Sequence, residues 1–210
     1  MPGRTPLSRA AASIIIAVLA VTVLAADQFT KYLALENLPL EQQVPVLGDF
    51  LVFYLVKNPG AAFSLGESVT WLFTLALAAV AVLIVVLAIT RVRSRLWSVA
   101  LGLLLGGVLG NLTDRVFREP GFPVGHVVDF IHTPWMMPAI YNVADIFIVS
   151  MMVGVAVLVL VGIGFDGSRE QREAADADVV DENADGSAPG DDGESAPADA
   201  ADGDTPAGRD

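Results

Sequence analysis

The chain has no cysteine and only two histidines, His126 and His132, among its 210 residues. Without thiols there are no disulfides, no cysteine nucleophile and no thiolate metal site, and the redox compartment leaves no trace in the sequence. Charge is scarce as well: 17% of residues are Asp, Glu, Lys or Arg, against 54% hydrophobic and a mean hydropathy of +0.59. A soluble domain carries about 25% charged residues, so this is the composition of a membrane protein. The formal net charge of −12 misleads until it is located, because nine Lys or Arg balance nine Asp or Glu between Met1 and Phe165. All of the excess lies in residues 166–210, where fifteen acids face three Arg.

That acidic segment is rich in Asp, Ala, Gly, Pro and Ser and almost free of large apolar side chains. It cannot bury enough surface to offset the entropy of ordering it, so residues 166–210 are expected to form a disordered, solvated cytoplasmic tail. A protein-docking tail is the alternative.

Four uncharged apolar runs, at residues 10–26, 69–90, 96–113 and 146–165, each approach the roughly 20 residues a helix needs to cross a bilayer. The first follows Arg4 and Arg9 and resembles a signal peptide, but its length exceeds the usual apolar core of roughly 7–15 residues, and three further spans favour a retained anchor. Arg4 and Arg9, the RVRSR run at 91–95, and Arg169 with Arg172 all fall on one side of such a bundle, which the positive-inside rule makes cytoplasmic. Both termini are then inside, and the two longer connections face outward. Within the first of them, FLVFYLVKNPG at 50–60 is too short to span and rich in β-branched and aromatic residues, so it reads as a short strand at the membrane surface. A re-entrant segment remains the alternative.

On this topology the third span ends in GGVLGNLTDR and the fourth begins with YNVAD at the same face. The i to i+3 spacing sets Asn111 beside Asp114, and Asn142 beside Asp145. The first span adds Asp27 and Lys31 at i to i+4, and the connections add Lys57, Asn58, Asp129 and Arg115. Carboxylates facing the interior of a bundle mark reaction sites or ion paths, although Asp27 with Lys31 also fits a plain helical ion pair and Asp114 with Arg115 a helix-end contact. Gly102, Gly106 and Gly110 form one ridge at spacing four, suited to close helix packing.

Asp129, in HVVDFIH, and Asp145 are separated by a turn containing PWMMP, so a loop and a helix start are expected to present two carboxylates to one site. Two close carboxyls do not both ionise easily. One keeps a proton while the other takes a proton from water, which then attacks a peptide carbonyl. The competing chemistries fit less well: His126 and His132, six apart with Asp129 between them, match no strong metal motif. Ser64 in GAAFSLG lacks the nucleophile elbow; the NPGAAFS stretch with Asn58 and Gly60 suits backbone shaping and polar contact with an extended substrate. A proton- or cation-coupled transporter would need polar groups reaching both faces, and a non-catalytic scaffold would make the aspartates dispensable.

Taken together, DQFTK at 27–31, NPGAAFS at 58–64, GGVLGNLTDR at 106–115, VVDF at 127–130 and YNVAD at 141–145 resemble the lipoprotein signal peptidase (signal peptidase II) family over about residues 10–165. The resemblance implies an α-helical bacterial inner-membrane protease with four transmembrane helices, a small extracytoplasmic β-cradle and an active site near the outer face, carried by a domain spanning residues 1–165. It implies catalytic Asp129 and Asp145, with Asn58, Gly60, Asn111, Arg115 and Asn142 contacting substrate and Asp27, Lys31 and Asp114 in structural or secondary roles. The implied partners are diacylglyceryl-modified prolipoproteins, membrane lipid and the inhibitor globomycin, with no cofactor, no metal and no nucleic acid. Pro59 stands where many members carry another residue, which stiffens that turn.

Overall fold

The structure, a computed structural model, describes residues 6–60 and 70–168. The readings made for Ser64, for most of the GAAFSLG stretch and for the acidic segment beyond Ser168 lie outside the described residues. Four helices dominate: α1 (Arg9–Asn37), α2 (Thr70–Thr90), α3 (Arg95–Phe117) and α4 (Val143–Leu160), each apolar and long enough to cross a membrane. Between α1 and α2 lie β1 (Gln43–Pro45) and β2 (Val52–Asn58), and between α3 and α4 lie β3 (Val127–His132) and β4 (Ile140–Tyr141). The strands form one antiparallel sheet in the order β1-β2-β3-β4 at one end of the bundle.

The helix limits depart from the apolar runs for physical reasons. Hydropathy stops α1 at its first charge, yet the helix continues eleven residues past Ala26, because Val23, Asp27, Lys31 and Ala34 stay on one buried stripe at helical spacing. That extension carries α1 beyond the span to the sheet, where Ala34 packs with Leu55, Val128 and Phe130. Helix α4 starts three residues before the expected 146, since Asn142 caps it, and ends at Leu160 rather than 165. Gly162, at φ 71°, adopts the left-handed conformation that stops it.

Helix α3 lies at the centre, in contact with all three others, and is buried over most of its length. Its glycine ridge faces α1. A Cβ on Gly106 would stand 2.6 Å from the Val23 Cβ and 2.8 Å from the Ala20 carbonyl oxygen, so the two backbones can meet only without it. Gly106→Ala is therefore expected to destabilise the bundle by about 1–3 kcal/mol, as overpacking does, read as a lower thermal midpoint in detergent. An unchanged midpoint would mean that α1 and α3 separate without cost.

At the far end of the bundle, the α2–α3 connection is tied to the segment after α4. Arg93 and Ser94 both donate backbone N–H groups to the Phe165 carbonyl, and the Trp97 indole donates to the Ile163 carbonyl at 2.8 Å. The apolar interior between these ends is filled by Ile16, Ile84, Leu101, Leu105 and Val108 with their neighbours.

Asp129 lies on a strand and not in the expected loop. VVDFIH is buried on both faces, so its apolar residues run on without alternation and hide the strand from a period-two reading. Alternation still decides where each side chain goes: Val128 and Phe130 enter the core beneath the sheet, while Val127 and Asp129 face the opposite side. Opposite Ile131 and Asp129, β2 takes one extra residue between Phe53 and Val56, a bulge of the kind that increases the local twist of a sheet.

Candidate active site

The site is assembled from the helix ends at the sheet side of the bundle. Asn142 caps α4: its side chain accepts from the Asp145 N–H at 3.0 Å, while the Asp145 Oδ2 accepts from the Asn142 N–H at 3.2 Å. This reciprocal capping box is the local meaning of the Asn-x-x-Asp spacing, and it orients Asp145 through contacts within the first turn of α4. The same Asn142 then donates its Nδ2 to Asp129 Oδ1 at 2.6 Å and to Asn111 Oδ1 at 3.1 Å. One fully buried amide thus ties strand β3, helix α3 and helix α4 together and sets both carboxylates around itself.

Each carboxylate has a second amide partner. Asn58 Nδ2 donates to Asp129 Oδ2 at 2.9 Å, and Asn111 Nδ2 donates to Asp145 Oδ1 at 2.7 Å. Asn111 is held in that orientation from behind, because Lys31 Nζ donates to its Oδ1 at 3.0 Å. Burial pushes the Asp129 carboxyl up to about 7; the neighbouring Asp145 charge adds to the rise, and the bonds from Asn58 and Asn142 oppose it.

Behind these groups lies a fully buried ionic cluster. Lys31 Nζ sits 2.9 Å from Asp27 and 2.7 Å from Asp114, so with Asn111 all three of its protons have acceptors. Asp27 Oδ1 accepts from the Ala144 N–H at 2.9 Å and anchors the first turn of α4 to α1. Asp114 accepts from Arg118 Nε at 2.6 Å and from the Val128 N–H at 3.2 Å, joining α3 to the sheet. Gln28 bridges Asp27, Asp114 and the Gly110 carbonyl. Gln28 and Arg118 had no assigned role in the sequence. Gln28 sits beside the buried stripe and Arg118 one turn after Asp114, the only signals that mark them.

Arg115 acts on backbone. Its Nη1 donates to the carbonyls of Asn58, Pro59 and Gly125 at 3.2, 3.0 and 3.0 Å, and its Nη2 donates to the Gly60 carbonyl at 2.5 Å. The guanidinium therefore gathers the turn after β2 and holds Asn58 against Asp129. Thr70 Oγ1 donates to the Pro59 carbonyl from the start of α2, and Thr74 Oγ1 donates to the Pro123 carbonyl at 2.6 Å.

In front of the carboxylates a cavity of about 950 Å³ opens along the bundle. Its polar end is formed by Asn58, Gly60, Asn111, Arg115, Asp129 and Asp145; its long apolar wall comes from Phe73, Leu77 and Val80 of α2, Leu104 and Val108 of α3, and Ile146, Val149 and Met152 of α4. Met136 and Met137, on the turn between β3 and β4, close its upper edge. Asn142, Asp27, Lys31 and Asp114 do not line it. The ten residues marked in the sequence are thus divided: six reach the cavity, and four stand behind it as supports. His132 is half-buried in β3 near the Tyr54 ring, and the His126 N–H bonds to the Glu119 carbonyl; among the described residues, no group of three or more His, Cys, Asp or Glu is placed to hold a metal ion.

Comparison with known proteins gives the same direction. A family model described as signal peptidase (SPase) II matches residues 19–163. The chain is similar to the lipoprotein signal peptidase of Leifsonia xyli subsp. xyli, with 51% identity over 174 residues, 83% of this chain and 79% of that one. It is also similar to the lipoprotein signal peptidase of Rhodococcus jostii, with 48% identity over 154 residues, 73% of this chain and 76% of that one. A solved bacterial membrane enzyme, determined by the in meso method, superposes with a TM-score of 0.65 at 26% identity, covering 81% of this chain and 98% of its own.

Proposed function

On the premise that the chain belongs to the signal peptidase II family, and is therefore a multi-pass membrane protease acting on prolipoproteins, we propose that Asp129 and Asp145 form its catalytic dyad. The observation that carries this reading is the pair of carboxylates, bracketing Asn142 at the polar end of a membrane-level cavity. Four carboxylates, Asp27, Asp114, Asp129 and Asp145, stand in one largely buried cluster with three cations, Lys31, Arg115 and the partly exposed Arg118. A single proton on the dyad makes that cluster neutral, as a low-dielectric site requires.

The reaction follows from that state. The ionised carboxylate takes a proton from a water lying between the pair, and the hydroxide oxygen bonds to the carbonyl carbon before the lipidated cysteine of the precursor. The protonated partner hydrogen-bonds the developing oxyanion. Collapse breaks the C–N bond, a dyad proton passes to the leaving amine of the cysteine, and the new carboxyl group remains on the signal peptide. Asn58, Asn111 and Asn142 keep the carboxylates fixed throughout. The Asn58–Gly60 turn, gathered by Arg115 and lining the cavity through Asn58 and Gly60, offers its edge to an extended substrate.

In the membrane, the basic residues on the α2–α3 connection place the far end of the bundle and both termini in the cytoplasm. The dyad then lies near the outer face, where a diacylglyceryl-modified precursor arrives laterally with its acyl chains still in lipid. Residues 1–165 carry this activity, and globomycin is its expected inhibitor.

The test is cleavage by the purified protein of a lipidated and an unlipidated precursor, measured across pH. The lipidated precursor is cleaved, and kcat/KM falls above about pH 7, approaching tenfold per unit, because the Asp129 carboxyl near 7 then loses the proton the mechanism needs. Cleavage indifferent to the lipid, or a rate still rising well above pH 8, contradicts the reading.

A further inference from the structure

Ser150 stands apart from every other serine and threonine on the described helices. Thr22, Thr30, Thr90, Ser98 and Thr113 each donate to the carbonyl four residues back, Ser13 donates across to the Ala88 carbonyl, and Thr70 and Thr74 donate to the carbonyls of Pro59 and Pro123. This is how a hydroxyl is kept satisfied in a hydrocarbon-facing helix. Ser150 makes no hydrogen bond, is exposed, and lines the cavity. It is also the only hydrogen-bonding side chain in the run IFIVSMMVGVAVLVL of α4.

Its place relative to the dyad is specific. Five residues separate it from Asp145, about 7.5 Å along the helix axis into the span. It shares a flank of α4 with Ile146, one turn away, at the lateral edge of the cavity. In a diacylglyceryl-modified precursor, seven single bonds join the cysteine nitrogen at the scissile bond to the nearer ester carbonyl carbon, a reach of roughly 9 Å when extended. An ester carbonyl at the cavity edge therefore comes to the depth of Ser150 while the scissile bond lies at the dyad.

We propose that the Ser150 hydroxyl donates a hydrogen bond to a carbonyl oxygen of the bound substrate, that of a glyceryl ester, and so makes Ser150 a specificity residue for the lipid. This rests on the proposed dyad and on its diacylglyceryl substrate. A peptide carbonyl of the signal segment offers the same acceptor chemistry from a second source. In either case the contact lies away from the reacting atoms and forms equally in the ground and transition states, so it lowers KM and leaves kcat unaltered.

The experiment uses the full chain and two synthetic precursors with one peptide sequence, carrying on the cysteine either a diacylglyceryl group or a dialkylglyceryl ether that lacks both ester carbonyls. Ser150→Ala raises KM for the ester precursor roughly three- to tenfold, the effect of one neutral hydrogen bond, with kcat unchanged, and does not alter KM for the ether precursor. An equal rise for both precursors assigns the acceptor to the peptide and keeps the hydrogen bond but removes the lipid specificity. An unchanged KM for both overturns the inference, with the hydroxyl bonded back to the Ile146 carbonyl like its counterparts. Asp145→Asn measured on the same precursors separates the two levels: turnover at the parent rate there defeats the dyad, whatever Ser150 does.

Discussion

Asp129→Asn and Asp145→Asn each lower turnover of a diacylglyceryl-modified precursor by on the order of a thousandfold or more, while the protein still accumulates in the membrane. An amide neither accepts a proton from water nor passes one to a leaving amine, and general acid–base catalysis alone supplies about 10²–10⁴. Both substitutions keep the volume of the side chain, and both replace a carboxyl whose ionised form is costly to bury, so folding is affected far less than rate. Some cost remains at position 129, where a new amide would set donors against Asn58 or Asn142, which now donate at 2.9 and 2.6 Å. Because the dyad works as a unit, the double variant is scarcely slower than either single one. Single-turnover rates, normalised to the amount of membrane protein, give the answer; full activity in either single variant removes the dyad from the mechanism.

Lys31→Met has the largest expected effect on stability, about 3–5 kcal/mol, the cost of leaving a buried ion pair without one partner. Asp27 and Asp114 are both fully buried, and the ammonium lies 2.9 and 2.7 Å from them. Its removal leaves Asp27 without a cation and Asp114 with Arg118 alone, and these carboxylates also anchor α4 and β3 through the Ala144 and Val128 N–H groups. In a protein of this size the loss corresponds to a thermal midpoint lower by roughly 6–20 °C. Adding Asp27→Asn to Lys31→Met restores much of it, because Asp114 still has Arg118 at 2.6 Å and no buried charge is then left alone. Thermal unfolding of the three proteins in one detergent tests both statements; a midpoint within a degree or two of the parent in the single variant would show that the cluster is not desolvated.

The same residues show why some of the site is legible in a sequence and some is not. Asp27, Lys31, Asn111 and Asp114 stand out because each interrupts or ends an apolar run, where a polar side chain must have a partner. Their partners are harder to read. Lys31 and Asn111 are 80 residues apart and meet at 3.0 Å; Arg115 holds carbonyls of Asn58, Pro59, Gly60 and Gly125, and carbonyls carry no sequence signature. Asn142 reads as a site residue from its spacing to Asp145. The structure encloses it completely, a support that bonds Asp129, Asn111 and Asp145 and does not line the cavity. Strand β3 escaped a period-two reading for a related reason, since both of its faces are covered and covering depends on what the rest of the chain places there.

By itself the sequence determined the four apolar spans and the family, and singled out the aspartates proposed as the dyad, because hydrophobic length and motif order are local properties of the chain. Only the tertiary structure decided that α1 runs on past its first charge, that Asp129 is held on a strand, and that the ten marked residues separate into six facing a cavity and four bracing it from behind. Those outcomes depend on which buried donor finds which acceptor. The partners are distant in sequence, and the low dielectric between helices leaves no unpaired alternative of comparable energy.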